Sequence, residues 1–530
     1  MPQHLYKHFT MKKYSCLLFL AAWGIAQQSN AQVYAVDAAR YTSLQVAGTS
    51  RIQAIGGAAT ALGGDISSAY YNPAGLGFNR KSEFSFAPSL NFLGSDATYY
   101  GNLNNDGRLN FNISHLGLAL AFPKDGSDSD FKGGTFAITM TRNNNFNNNT
   151  TYSANNSANS IVDYFIGSSA GVPVQEFDSQ LNNVYDLRAL GYKAYLTYYD
   201  PEVRNGQVIR HLYNSDIPVG VNFQRERLVQ SGGQYQINAS YGGNYKDLLY
   251  FGAGIGFQTF SFEQTKTFYE KQVEVKRLPN GNLPNAIFND LTLTETLRQD
   301  VAGVNFQAGL IFRPLDYLRI GANIVSPTWL SASETYTANL NVNYNNYNVD
   351  NAVVNNVAVR TSDLVSDFNI VTPMRLSGGI AGIIGKYGFV SADVEYVDFR
   401  SMKLNANFDM SSSNNAIKNN YRSVLNIRAG AEARLDKFRL RGGFGYYPDS
   451  KVNSDLNTIT ISGGLGYMTK KMFIDFSIVN ISSKSSYSPY PVDDAYRAEM
   501  QKIGLNIGAT PVASFSNSQT RAIATIGFYF

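Results

Sequence analysis

Apolar and polar side chains alternate one for one through most of the second half of the chain. From Leu425 to Asp436, Leu425, Ile427, Ala429, Ala431, Ala433 and Leu435 face one way, and Asn426, Arg428, Gly430, Glu432, Arg434 and Asp436 face the other. A period of two predicts a β-strand with unlike sides. After a very short turn, Phe438, Leu440, Phe444 and Tyr446 oppose Arg439, Arg441 and Gly445. Met472, Ile474, Phe476 and Ile478 oppose Phe473, Asp475 and Ser477. The chain ends the same way: Ala522, Ala524, Ile526, Phe528 and Phe530 face away from Arg521, Thr525, Gly527 and Tyr529, with Ile523 the one aliphatic exception. Charges on one face and apolar residues on the other suit a polar bore and a lipid exterior, and about ten residues cross a membrane as a tilted strand.

Further strands are predicted at Glu83–Leu93, Phe111–Phe122, Thr135–Arg142, Gln234–Asn244, Leu248–Phe262, Val301–Phe312 and Tyr317–Ser326. Phe368–Ile384, Phe389–Phe399 and Thr458–Thr469 follow. With Ser423–Asp436, Phe438–Tyr447, Met472–Ile481 and Arg521–Phe530 the total is about fourteen, the even number of a closed antiparallel barrel. Tyr336–Asn346 also alternates but is rich in asparagine, and is read as a strand running into a loop. Connections 312–317 and 436–438 are short, as periplasmic turns are. Segments 143–160, 328–364 and 483–517 are long and polar, as extracellular loops are, and their asparagine clusters read as solvated chain. Residues about 147–230 form the largest insertion, with a short helix expected within Asp186–Tyr199.

The N-terminus points to export. Lys12 and Lys13 precede the apolar run Cys16–Ala26, and Ser29-Asn30-Ala31 supplies small residues before Gln32. That is the layout of a signal peptide over residues 1–31, with a run too short to cross a bilayer as a helix. Met11 serves as an alternative start to Met1. Cys16 is the only cysteine, so the mature chain has no thiol, disulfide or cysteine metal site. Losing Lys7, Lys12 and Lys13 takes the formal charge from +4 to +1, which gives a nucleic-acid partner no support. The 35 tyrosines, 33 phenylalanines and 46 glycines favour one large barrel over several soluble domains, because aromatics form the interfacial girdles.

Before the first strand lies a segment of another kind, Thr49 to Gly77, rich in small residues and without alternation. Small side chains let a chain fold compactly inside a barrel. Here the sequence closely resembles the FadL-type outer-membrane transporters of hydrophobic compounds. Their N-terminal hatch carries a motif matched by Asn72-Pro73-Ala74, extended by Gly75 and Leu76. Similar stretches follow at Asp393–Phe399, Ile427–Glu432, Leu440–Tyr446 with Pro448, and Ile461–Tyr467. The resemblance covers Thr49 to Phe530 except the long loops. It implies an all-β transmembrane barrel with a hatch over residues 32–81 plugging the lumen and the barrel over 82–530. It also implies passive uptake of hydrophobic molecules such as long-chain fatty acids, captured in an apolar lumen pocket and leaving sideways through the wall. The terminal Phe530 looks like the sorting signal read by the barrel-assembly machinery, so the outer membrane is the expected location and its lipid the surroundings. Two other readings stand beside this one: a FadL-like barrel that docks secreted proteins or surface attachments, and a general porin.

Pro73 fixes its own φ and biases Asn72 toward extended backbone, giving a rigid turn. Gly56-Gly57 and Gly63-Gly64 do not form a phosphate loop, since no strand precedes them and no Gly-Lys-Ser/Thr follows. His115 and His211 fall in unrelated segments, and no nucleophile with an oriented base is evident. Neither an enzyme nor a cofactor or metal is expected. The polar face of the last strands carries Arg428, Arg434, Arg439 and Arg441, with Asp393, Glu395, Glu432 and Asp475 of opposite sign. One use is a salt-bridged network bracing the hatch against the wall. The other has one of Arg428, Arg439 and Arg441 holding a ligand carboxylate bidentately.

Overall fold

The computed structural model describes residues 36, 38–124, 129–180, 183–218, 220–276, 285 and 287–530. The expected signal peptide, 1–31, lies outside them. Fourteen antiparallel strands close into one barrel. The first seven are β1 (Glu83–Tyr99), β2 (Asn102–Pro123), β3 (Phe131–Asn145), β4 (Gly220–Tyr245), β5 (Leu249–Val275), β6 (Phe288–Leu315) and β7 (Leu318–Val325). The second seven are β8 (Arg375–Ile384), β9 (Gly388–Asp398), β10 (Ser423–Leu435), β11 (Phe438–Pro448), β12 (Asn457–Met468), β13 (Met472–Tyr487) and β14 (Ala513–Tyr529). Each pairs with its neighbours in sequence, and β14 pairs with β1 from Tyr529↔Glu83 to Ala513↔Tyr99, so the sheet has no free edge there. Phe530 and Ser82 exchange backbone hydrogen bonds of 3.0 and 3.2 Å at this seam.

Alternation sorts the side chains as predicted. Ile427, Ile461 and Ile474 are exposed on the outside, while Arg428, Glu432 and Asp475 are buried on the inside. Ile523, the exception, is fully buried in a small apolar cluster with Ala87, Val479 and Ile481. The outer apolar band has a sharp upper limit. On β5 it runs from Phe251 to Phe257, and on β6 from Phe312 down to Ala302, which pairs with Thr259. Beyond that level the exposed positions turn polar or charged, at Arg225, Arg227, Glu263, Lys271, Arg298 and Asp300. Strands therefore continue well past the band.

This continuation is where sequence and structure part. Segments 143–160, 328–364 and 483–517 read as loops apart from the strand expected at Tyr336–Asn346, yet Asn148–Asn156 pairs with β4, and the whole of Trp329–Val349 pairs with β6 and with Ala352–Arg360. β13 runs on to Tyr487, and β14 begins at Ala513. Beyond the lipid, the outward face no longer needs apolar residues, so alternation disappears while the main-chain ladder persists. The stretch Phe368–Ile384, read as one strand, is two: Leu364–Val371 and β8, separated at Pro373, which has no N–H to continue a ladder.

The insertion between β3 and β4 folds into a cap on this end. Its helices include α1 (Ile161–Ser169) and α2 (Leu187–Lys193), the latter inside the expected Asp186–Tyr199. Phe165, Phe177, Leu190 and Leu196 pack on Phe268, Leu291 and Leu340 of the barrel extensions. The N-terminus of α1 is seated on the Glu270 carboxylate, which accepts hydrogen bonds from Ser160 Oγ, Ile161 N (3.1 Å) and Gln224 Nε2 (2.6 Å). Glu226 accepts from Tyr152 and Tyr487 hydroxyls. Burial above the lipid band pushes both carboxyls up to about 7.

Candidate functional site

Residues 38–78 fold as a chain of tight turns. A one-turn helix (Ser50–Ala54) is capped by Thr49, whose hydroxyl also reaches Asp65 at 3.1 Å. Gly56, Gly57, Gly63 and Gly64 all have positive φ, which their reversals require. Ser68–Tyr71 is a second short helix, after which Asn72 is extended (φ −160°, ψ 104°) and Pro73–Phe78 forms a 3₁₀ helix. Asn72 caps that helix through Ala74 N at 3.1 Å. Its Nδ2 donates to Thr60 O (2.7 Å), and to Leu310 O and Ala322 O of β6 and β7 (both 3.3 Å). Gly75 packs on Ser68, and its carbonyl accepts from Gly64 N at 3.0 Å. The Asn-Pro-Ala-Gly stretch thus ties the segment to itself and to the wall.

Glycines in the wall make room for it. A Cβ at Gly242, Gly252, Gly309, Gly321, Gly379, Gly430, Gly443 or Gly464 would press on Pro73, Ala74, Asn72, Thr60, Ala61, Ile55, Gly56 or Ala54. None of these eight needs a positive φ; close approach is the reason for glycine. They come from β4–β8 and β10–β12. Ser391 of β9 donates to Ala58 O, Ile66 meets Gly117 of β2, and Ser50 N donates to Thr525 Oγ1 of β14. The partners span the circumference.

One step toward the short-turn end lies a buried ion network. Arg51 contacts Glu432 at 3.3 Å and Asp65 at 3.6 Å, and Arg441 contacts Glu432 at 2.8 Å and Asp475 at 2.6 Å. Arg434 adds a third cation to Glu432 at 2.8 Å. Of the three arginines considered for a ligand, Arg441 is thus held between two carboxylates. Arg439 sits at the turn, donating to Asp436 O and Phe438 O at 2.5 and 2.8 Å. Only Arg428 faces open space: its nearest carboxylate, Glu395, is 3.9 Å away, its Nε has no partner, and its guanidinium lies 5.7 Å from the Tyr71 ring. The structure does not bring the three together.

That space is a chamber of about 70 Å³ on the other side of the glycines, between residues 41–46 and the wall. Its lining departs from the apolar pocket expected. Gln236, Gln258, Asn305, Gln307 and Asn323 come from β4 to β7, joined by Arg375, Glu395 and Arg428, with Tyr70, Tyr71 and Tyr447 beside them. Residues 41–46 form a strap across it. Gln45 N donates to Asn143 O (2.9 Å), Asn144 Nδ2 to Ser43 O (2.8 Å), and Arg521 Nη1 to Val46 O (2.9 Å).

The wall beside the strap is interrupted. The β2–β3 ladder runs from Pro123↔Gly133 to His115↔Thr141 and stops. Asn102–Ile113 continues its ladder with β1, and above the break its Asn104, Asp106 and Arg108 side chains bond Ser153 N, Thr151 N and Gln230 O. Past the break Arg142 turns toward β4, donating to Asn144 O (3.2 Å), Asn145 Oδ1 (2.9 Å) and Gly232 O (3.0 Å). An open hollow of about 1090 Å³ reaches from Phe111, Arg142 and Tyr235 here along the outer face to Thr259, Asp300, Ser331 and Asp367. His115, at the last closed rung, is buried with Nδ1 3.4 Å from Thr141 Oγ1.

No protein-family profile and no curated protein matches the sequence. Solved structures do. A Pseudomonas aeruginosa FadL homologue is similar with a TM-score of 0.50 at 12% identity, covering 92% of this chain and 98% of that one. The chain has the FadL-type barrel fold. The Pseudomonas putida toluene transporter TodX (TM-score 0.48, 12% identity, 92% and 99% covered) and the Ralstonia pickettii toluene transporter TbuX (0.46, 15%, 92% and 99%) are also similar.

Within this FadL-type fold the sequence reading missed Arg51, Asp65 and Arg375, and the chamber amides. Gln258 and Asn323 lie on the polar faces of strands that were predicted, so alternation marked their direction. Asn143 and Asn144, read as solvated loop, instead hold the strap.

Proposed function

We propose that the protein is an outer-membrane channel for passive uptake of hydrophobic and amphiphilic molecules, long-chain fatty acids among them. The observation that carries this is the interrupted β2–β3 ladder, a doorway in the wall beside a buried N-terminal segment. An apolar solute loses its favourable surroundings in an aqueous channel, so a route that opens into lipid avoids that cost. The solute enters from the capped end, rests beside the strap and leaves through the doorway as residues 38–78 shift. Asn72, Pro73, Ala74 and Gly75 act as the fixed anchor of this hatch. Arg428, with its free Nε, is the group placed to meet the polar end of the cargo. Residues 1–31 are removed on export, and Phe530 is read during insertion.

Liposomes carrying the protein should take up laurate or a longer fatty acid faster than empty ones; equal rates would remove the reading. A general porin would show large steady single-channel conductance, whereas the seated segment predicts little or none.

A further inference from the structure

We infer that the chamber is a site for polyhydroxylated head groups, the sugar of an amphiphile, and not for the hydrocarbon portion. The inference rests on the bore being the transport route and names what that route selects.

Three features of the chamber carry it. First, Gln236, Gln258, Asn305, Gln307 and Asn323 are all nine-tenths or more buried, yet line open space. Second, several of their atoms are unanswered: Gln258 Oε1, Asn323 Oδ1, Tyr447 Oη and Arg428 Nε are buried without a hydrogen-bond partner. Buried polar atoms are nearly always paired, so a cluster of exceptions around one space calls for something that supplies the bonds. Third, the groups are of both kinds. Carboxamides offer donors and acceptors, Glu395 accepts, and Arg428 donates.

Gln236, Asn305, Gln307 and Glu395 already have protein partners, but hydrocarbon would leave the four unanswered atoms dry, which is the costly arrangement. A bare carboxylate would answer Arg428 but not the amide oxygens, which it repels. Hydroxyl groups donate and accept at once, so neighbouring hydroxyls on a ring satisfy amides and guanidinium together. The tyrosines give the ring an apolar face to rest on. The chamber's 70 Å³ has room for about five waters at roughly 10–15 Å³ of such space each, hence for one hydroxylated edge of a sugar. The wall break lies on the far side of the strap, so an alkyl tail would pass toward lipid only where the strap yields.

The test uses the full-length protein in lipid nanodiscs, titrated by calorimetry with methyl β-glucoside, hexyl β-glucoside and laurate. Hexyl glucoside should bind at least ten-fold tighter than laurate. Gln258→Leu with Asn323→Leu should weaken it at least ten-fold, and the milder Asn323→Asp should weaken it less. Methyl glucoside binding within ten-fold of the hexyl compound would mark a free sugar as the source. A larger gap would mark an amphiphile, and both outcomes support the site. Absence of glucoside binding by the wild-type protein, leaving water as the only occupant, would overturn it, as would tighter binding of laurate. Laurate uptake into liposomes from the same preparation separates the two readings. Uptake without glucoside binding removes only the chamber assignment, and glucoside binding without uptake removes only the transport reading.

Discussion

Two adjacent levels of the bore treat the N-terminal segment in opposite ways. At the glycine level, eight strands give up their side chains so that the segment's backbone can touch the wall, and the ion network around Glu432 fastens it from below. One inward position along the same strands from Gly309, Gly321 and Gly430 lie Gln307, Asn323 and Arg428, with Asn305 one position further. Side chains return there, and a space opens. Contact at one level and vacancy at the next come from the same strands. The segment is gripped at its base and spanned only by a strap above, which separates holding from handling.

The comparison can be broken at the grip first. Arg441→Ala removes the cation between two buried carboxylates and should cost about 3–5 kcal/mol, read as a lower urea midpoint of the barrel in detergent. Gly443→Val drives a side chain into Ile55 and Gly56 and should cost about 1–3 kcal/mol, while Gly442→Val, with open space outside, stays within about 0.5 kcal/mol. Equal effects at these two neighbours would end the argument that glycine serves contact. At the upper level the sign reverses. Gln258→Leu with Asn323→Leu removes two unanswered oxygens and should leave stability unchanged or raise it by up to about 1 kcal/mol.

The cap supplies a smaller contrast. Glu226 and Glu270 have folded-state values near 7 against an ordinary 4.5, so the folded cap binds protons that the loosened chain releases. Its stability should be greatest in acid, fall as pH rises from about 4.5 to 7, and stay flat above. Hydrogen exchange across Ile161–Ser169, corrected for intrinsic rate, should therefore be faster at pH 8 than at pH 5, with the glycine level unmoved.

Sequence alone reached the barrel because lipid imposes a rule on every second residue. All fourteen predicted runs overlap a barrel strand, and the extensions beyond Phe262 and Val301 were lost where water replaces lipid. A side-chain period tells which way a residue points but not how far along the axis it lies. Arg439 and Arg441 share a face, yet one rests at a turn and the other is buried between two carboxylates. The same limit hid the chamber: Gln258 and Asn323 are plainly inward, but that they border empty space depends on where a separate segment stops.

The seam between β14 and β1 has a consequence for how the molecule is made. Residues 38–78 precede β1 in the chain, whereas the ring is completed by β14, the last of the fourteen strands. The barrel therefore cannot enclose that segment until the two ends of the strand series have met. A chain cut short before Ala513 would keep the wall glycines that meet this segment but could not close the ring around it.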